Sequence, residues 1–399
     1  MTARFRAVPP ETLGASLGPS ALHCVEFAEG AEAVRLATAE LGLGCRRERE
    51  RVRVWGTAEE LARLAERLEH RAPALAESLR RYLRPPQEWS VRGRALPLDR
   101  PLVMGIINLT EDSFSGDGLG DDVERAVRRA HALAAAGADL VDLGAESARA
   151  DRPARDLGEE VRLVEQAVRR LTAEGILVSV DTYKAEVARA ALAAGAAIVN
   201  DISGLTVGTA AARAAAEARA GYVLNYSVMP PKRRPPEPPQ YEDVVDETIR
   251  WFEERLPVLW ETGLRPEQVV IDPGIAFGKS HDEDVQVIRR LGELRSLGQP
   301  ILLAHSRKNF IGSVTGQPPE DRDLETHLVT AWAYLQGARI FRVHDVAGTR
   351  RALRLAASLT APPGAFAPGP NTWPWSAGAD APHAAAAPPL ADAPPGQRW

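Results

Sequence analysis

From Pro101 onward the chain alternates between two patterns. Short runs are apolar almost without a break: LVMGIINL (Leu102 to Leu109), ADLVDLGA, ILVSVDTY, AAIVNDIS, YVLNYS, VVIDPGI, PILLAHS and ARIFRVHD. Longer stretches between them place apolar residues at helical spacing, as in VERAVRRAHALAAAG, EEVRLVEQAVRRLTAEG and YEDVVDETIRWFEERLPVLWETG. Runs that are apolar on both faces suit parallel strands covered by helices. Gly137, Gly175, Gly195, Gly263, Gly298 and Gly337 stand between helix ends and the next strands, where a left-handed cap residue belongs. Eight strand–helix repeats over about 260 residues predict an α/β fold, a (β/α)8 TIM barrel across residues 97–360. An open doubly wound sheet is the other solution, but even spacing of the strands favours closure.

The flanking segments read differently. Residues 1–90 predict a small α+β accessory domain. LHCVEFA and RVRVWG (Arg51 to Gly56) have strand patterning, and AEAVRLATAELG and ALAESLRRYL have helical patterning, the latter stopping at Pro85-Pro86. In TAEELARLAERLEHR, Thr57 and Glu60 have the spacing of a capping box. Residues 361–399 are rich in Pro, Ala and Gly, with no periodic apolar face, and predict a disordered tail. Its Trp373, Trp375 and Trp399 could anchor a partner.

Composition narrows the function classes. In 399 residues, 45% hydrophobic and 26% charged content describes a globular protein, and a net charge of −5 gives no reason to expect nucleic acid or an anionic membrane as partner. The start, MTARFRAVPPETLG, has no apolar signal core, and no run is long enough to span a bilayer. Cys24 and Cys45 have neither disulfide-framework nor metal-ligand spacing, so a reduced, cytoplasmic setting is expected.

Candidate chemistry gathers at the strand ends, where a barrel builds its active site. The first run ends in Asn108, followed by Thr110, Asp112 and Ser113. Later runs end in Asp142 with Glu146 and Arg149 beyond; Asp181-Thr182; Asn200-Asp201; Asp272; His305-Ser306-Arg307-Lys308; and Arg342, His344 and Asp345. Any one of these could be a helix cap or half of a buried ion pair, the reading favoured for Asp142 and Asp201. A polar residue at nearly every end asks for more, because uncompensated burial is costly. Arg342 and His344 are two apart and share one side of their strand, a pair suited to an anion. Asp181, Asn200 and Asp272 form an acceptor-rich wall suited to a flat ring with several N–H donors. In VVIDPGIAFGK, Pro273 biases Asp272 towards an extended conformation and Gly274 lets the chain turn at once, which aims the carboxylate into the mouth. The same stretch is not a P-loop, since Gly274 and Gly278 enclose three residues rather than four, and GDGLG (Gly116 to Gly120) lacks dinucleotide-binding spacing and reads as a mobile loop.

MGIINLTEDSFS, VSVDTYKAEVARAAL, IVNDISG, DPGIAFGK, SRKNFIG and RVHDV, in this order and at these strand ends, resemble dihydropteroate synthase over Pro101 to about Leu359. That family joins 6-hydroxymethyl-7,8-dihydropterin diphosphate to p-aminobenzoate, giving dihydropteroate and diphosphate in folate biosynthesis. The resemblance implies that Asp181, Asn200, Asp272 and Lys308 bind the pterin. It implies that Asn108, Arg149, Arg342 and His344 hold the diphosphate with Mg2+, Asn108 being a ligand of the metal. It further implies that Phe277 and Ser306 border p-aminobenzoate, and that Lys308, Arg342 and His344 act in catalysis. The loops Glu111–Gly120 and Ser147–Leu157 would close over the substrates, and a homodimer is expected.

The chain departs from the family pattern at Glu111 (usually Pro), at Ala148 (usually Thr) and at Asn225-Tyr226-Ser227 (usually Met-His-Met). It departs also at Ala276 (usually Gly) and Asn309 (usually Ser), and no Pro-Gly follows Arg149 directly. These departures put one wall of the pterin pocket and the second-loop contact to p-aminobenzoate in question, with Tyr226 placed either to stack on the ring or to crowd it. Two other readings share the barrel: a degenerate paralogue that binds pterin without synthase activity, and a pterin-dependent methyltransferase, which needs no diphosphate clamp. A barrel whose polar ends are only helix caps is the bland alternative.

Overall fold

The computed structural model describes residues 5–8, 23–27, 30–48, 51–110, 118–147, 152–233 and 239–360. The expected tail, Arg149, Ala148, Glu111, Asp112 and Ser113 lie outside these residues, as do most of the loop Glu111–Gly120 and part of the loop Ser147–Leu157. The N-terminal module is a four-stranded antiparallel sheet of β1 (Phe5–Val8), β2 (His23–Phe27), β3 (Gly44–Glu48) and β4 (Arg51–Gly56) in the order β1-β2-β4-β3. Its helices are α1 (Ala31–Leu41), α2 (Ala58–Leu68) and α3 (Pro73–Leu83). Val25, Phe27, Val52 and Val54 pack on Leu61, Leu64, Leu68, Leu75 and Leu79. The capping box forms as its spacing requires, with Thr57 Oγ1 accepting from Glu60 N and the Glu60 carboxylate accepting from Thr57 N. β3 is an edge strand of Gly, Cys and charged residues, and lacks the alternation that marks β4. The module meets the barrel at Arg295, which donates to the Tyr82 carbonyl (2.9 Å) and lies 4.5 Å from the centroid of its ring.

A hairpin that the apolar pattern does not announce follows: β5 (Glu88–Val91) and β6 (Arg94–Pro97). Arg92 and Gly93 turn it with φ of 48° and 75°, the double left-handed turn that matches strand twist. Trp89 is fully buried and donates its indole N–H to the Gln268 carbonyl (2.8 Å). Arg92 donates to the carbonyls of Leu192 (2.8 Å) and Ala196 (3.0 Å). Trp89 and Val91 pack with Leu102, Met104, Ile198, Val223, Val270, Leu302 and Ile340 inside the barrel. The hairpin is therefore the barrel's floor, although the expected domain boundary runs through it.

The barrel strands are β7 (Leu102–Asn108), β8 (Leu140–Gly144), β9 (Val178–Asp181), β10 (Ile198–Asp201), β11 (Gly221–Asn225), β12 (Val269–Asp272), β13 (Leu302–Leu303) and β14 (Ile340–Val343). Around them run α4 (Val123–Ala135), α5 (Leu157–Ala173), α6 (Ala185–Ala194), α7 (Ala210–Glu217), α8 (Val244–Glu261), α9 (His281–Arg289), α10 (Asn309–Thr315), α11 (Asp323–Leu335) and α12 (Val346–Thr360). Among the described residues they form one eight-stranded sheet, all parallel, in the order β12-β11-β10-β9-β8-β7-β14-β13. A parallel bridge between Ile271 and Ile301 closes the ring. The helix-end glycines named from the sequence all take positive φ. Register carries the site: Asn200 pairs with Asp181, and Asn225 pairs with Asp272, so these side chains emerge beside one another.

Trp89→Ala is expected to destabilise the protein by about 3–5 kcal/mol, the range for removing a buried aromatic ring. A chemical-denaturation midpoint equal to that of the unaltered protein would contradict the hairpin's role as a packed floor.

Candidate active site

The DPG turn after β12 is held from several directions. Asp272 Oδ1 accepts the Gly274 N–H (2.9 Å), and the Asp272 carbonyl accepts Tyr226 N–H (2.8 Å). Gly274 has φ 66°, and any Cβ there would strike the Tyr226 carbonyl oxygen. Lys279 donates to the carbonyls of Pro273 (2.9 Å) and Gly274 (3.2 Å), with its ammonium 3.5 Å from the centroid of the Tyr226 ring. Ala276 sits at φ 68°, and both Asp284 oxygens accept its N–H (2.9 and 3.1 Å). Lys308 reaches across from the loop after β13 to donate to the Ile275 carbonyl (2.7 Å), 5.2 Å from the centroid of the Phe277 ring. A strand ends on a carboxylate here because the carboxylate organises its own turn and still presents its second oxygen to the mouth.

Across the mouth, Arg342 leaves β14 on the side that period two dictates. Its Nε donates to Asp142 (2.6 Å) and its Nη2 to Asp181 (2.8 Å). Asn200 donates its amide to the same Asp142 oxygen (3.0 Å). Asp142 is thus the partner in a buried ion pair, and Asp201 likewise has a structural role, accepting from Ser203 N (2.7 Å) and the Tyr222 hydroxyl (2.5 Å). Sequence reasoning separated an acceptor wall from a cationic one; the structure joins them through Arg342. Among the described residues two of the five guanidinium N–H groups are spent in this way. Burial raises the Asp181 carboxyl to about 7, with Arg342 opposing and Asp142 reinforcing the shift. Burial also raises Asp272 and lowers Lys308, each opposing the other's shift.

On the anion side, Ser306 Oγ accepts the His344 backbone N–H (3.2 Å) and lies 2.8 Å from His344 Nδ1. The direction of that hydrogen bond follows the imidazole tautomer, since the hydroxyl can donate to Nδ1 or accept from it. Asn108, Asp181, Asn200, Asp272, Phe277, Ser306, Lys308, Arg342 and His344 all line one cavity of about 390 Å3. Tyr226 is not among its lining residues: it is fully buried on the outer side of the strand with Tyr222 and Leu224, its hydroxyl 3.2 Å from that of Tyr241. It neither stacks in the pocket nor crowds it, and Asn225 and Ser227, of opposite parity, face the cavity instead.

One rim residue escaped the sequence, and another, Glu146, was legible there without its partners. Lys232, after β11, lines the cavity and donates to the carbonyls of Ser147 (2.8 Å), Arg152 (3.2 Å) and Pro153 (3.3 Å), spanning from the fifth barrel strand to the second. Glu146 accepts from Tyr183 (2.7 Å), Lys184 (2.7 Å) and Arg155 N (2.8 Å), while Lys184 also pairs with Glu160 (2.5 Å). A lysine in a proline-rich loop has no periodic signature, and only the fold brings it to its carbonyls. Among the described residues no group of three or more His, Cys, Asp or Glu could hold a metal by itself.

Arg342→Met removes the counter-charge of Asp142 and Asp181, and should cost about 3–5 kcal/mol of stability at pH 8. The loss should shrink at pH 5, because Asp181, titrating near 7, is neutral there and no longer needs its partner. Urea midpoints at the two pH values measure this, and a pH-independent loss would argue against the charge-pair account.

Residues 104–344 match the family model described as "Pterin binding enzyme". The chain is 39% identical to dihydropteroate synthase of Mycobacterium leprae over 259 residues, covering 63% of this chain and 91% of that protein. The Yersinia pestis dihydropteroate synthase solved with a sulfonamide drug superposes with a TM-score of 0.64 at 33% identity, covering 68% of this chain and 98% of that one. The Xanthomonas albilineans enzyme solved with 4-aminobenzoic acid gives 0.63 at 41% identity, over 69% and 100%. With the barrel, the polar strand ends and these likenesses in agreement, the chain belongs to the dihydropteroate synthase family of pterin-binding enzymes.

Proposed function

We infer that this chain is a dihydropteroate synthase, condensing 6-hydroxymethyl-7,8-dihydropterin diphosphate with p-aminobenzoate to give 7,8-dihydropteroate and diphosphate. The observation that carries the reading is the single cavity in which acceptors on β9, β10 and β12 face Lys308, Arg342 and His344. Asp181, Asn200 and Asp272 take the N–H groups of the pterin, and Lys308 donates to its carbonyl side. Asn108, Arg149, Arg342 and His344 hold the diphosphate. Phe277 and Ser306 border the p-aminobenzoate.

The bond between the pterin methylene carbon and the diphosphate oxygen breaks, and its electron pair leaves with the diphosphate. Charge developing on that group is met by donors already in place, which is where preorganisation lowers the barrier. The resulting methylene cation is conjugated with the ring, and the aniline nitrogen adds to it and sheds a proton. A neutral aniline is nucleophilic enough without a strong base, so positioning supplies much of the rest. Mg2+ fits this donor set only as a partner of the diphosphate. Such an ion takes substrate oxygens and waters readily, and Asn108, which lines the cavity, would supply an amide oxygen to it. When bound it neutralises charge on the leaving group.

The same reading extends to assembly and setting. Leu324, Leu328 and Leu335 are 67%, 64% and 49% exposed on one face of α11, and this stripe supports a homodimer. As part of this proposal we place the reaction in the cytoplasm; no helix among the described residues is long and apolar enough to cross a membrane.

Three measurements test the proposal. A coupled assay with both substrates, with and without Mg2+, should show turnover that depends on the ion; no dihydropteroate under either condition rejects the synthase reading. Asp272→Asn should weaken pterin binding about tenfold or more, since a charged acceptor becomes partly a donor, and an unchanged titration curve would remove Asp272 from the site. In sedimentation, Leu328→Glu should convert a dimer to a monomer, and a monomeric unaltered protein would dismiss the pairing.

A further inference from the structure

Asn225 ends β11 with its side chain in the cavity, beside Asp272 in the parallel register. Its amide nitrogen donates to the carbonyls of Tyr226 (2.8 Å) and Ile202 (3.3 Å). Two acceptors around that nitrogen settle the orientation of the amide: the NH2 faces backbone and Oδ1 faces the other way. Among the described residues Oδ1 takes no hydrogen bond, yet it is not a sealed orphan, so it opens on the cavity. Asn200 is fixed in the same manner, its nitrogen given to Asp142 and its oxygen left over. Four consecutive strands, β9 to β12, therefore each contribute an acceptor to one arc: Asp181, Asn200, Asn225 and Asp272.

Asp272 cannot serve a donor-rich ring edge alone. Its Oδ1 is engaged by the Gly274 N–H, so one oxygen remains fully open to a ligand. The pterin presents adjacent donors, the exocyclic amino group and N3–H, and leaving one unpaired in a buried site costs the desolvation of that group. On the neighbouring strand Asn225 supplies a further acceptor, its backbone in register with that of Asp272 at about one strand spacing, roughly 4.8 Å.

We propose that Asn225 is a specificity-determining residue of this site, its amide oxygen accepting an N–H of the pterin's exocyclic amino group next to Asp272. The proposal rests on the pterin-binding reading given above. It makes the chain more demanding of that amino group than an apolar side chain at the position would, because a site built to pair a polar group rejects ligands that lack it.

The test is a calorimetric titration of the full chain with 6-hydroxymethyl-7,8-dihydropterin diphosphate and with its analogue lacking the exocyclic amine. Asn225→Leu should bind the intact ligand about tenfold more weakly. The penalty for deleting the amine should shrink by about the same factor in that variant, with KM for p-aminobenzoate unchanged. Asn225→Asp keeps an acceptor in the cavity but gives up the two backbone carbonyls, so it should retain discrimination for the amine and controls for loosening of the strand end. If Asn225→Leu weakens both ligands equally, or Asn225→Asp loses discrimination as Asn225→Leu does, the residue acts only through the carbonyls of Ile202 and Tyr226 and the proposal falls. If the unaltered chain binds neither ligand, it is the pterin-binding reading itself that fails.

Discussion

A guanidinium at the end of the last barrel strand has to be surrounded by negative charge if it is to stay folded inward, and Arg342 is. Asp142 beneath it and Asp181 beside it balance its charge, and Asn200 is drawn in through the same Asp142 oxygen. One ion-pair cluster therefore aligns side chains from β8, β9, β10 and β14 before any ligand arrives. The cost of burying such charges falls only when every partner is in place, so the cluster is rigid for the same reason that it is risky. The residues expected to meet the ring and the residues expected to meet the anion are parts of a single electrostatic unit.

The opposite wall is organised by backbone carbonyls that take lysine donors as well as by the Asp272 and Asp284 carboxylates. Lys279 and Lys308 give their protons to the carbonyls of Pro273, Gly274 and Ile275, stitching the turn that carries Asp272 and Phe277. Burial lowers Lys279 to about 7, with Asp284 the main opposing influence, and raises Asp284 to about 6. Ala276 adds a residue in a conformation that glycine adopts more readily, held there by Asp284. Preorganisation on this side is thus mechanical: the loop is pinned at several carbonyls, and the aromatic shelf follows.

The barrel was legible because its strands are apolar on both faces and its helices end in glycine, signals that survive without any tertiary information. Asp181, Asn200, Asp272, Arg342 and His344 were legible as a set because period two and strand ends together say where a side chain points. The direct contact between Arg342 and Asp181 was not, since nothing local says which strands meet across a closed ring. Tyr226 could have been placed from parity alone: it shares a side with Tyr222 and Leu224, which pack outward. The hairpin floor stayed hidden because EWSVRGRALP mixes charge with apolar residues and follows a proline pair, and Lys232 was hidden because its acceptors lie some eighty positions away.

The floor hairpin bears on the order of assembly. Glu88–Pro97 precedes every barrel strand in the chain, yet its polar anchors are Leu192, Ala196, Arg219 and Gln268. These contacts close loops of a hundred residues and more, the kind that form late because chain entropy opposes them. The plug is thus made first and seated last. Until β10, β11 and the approach to β12 exist, Trp89 lacks much of the apolar surface that buries it and the carbonyl that takes its indole N–H.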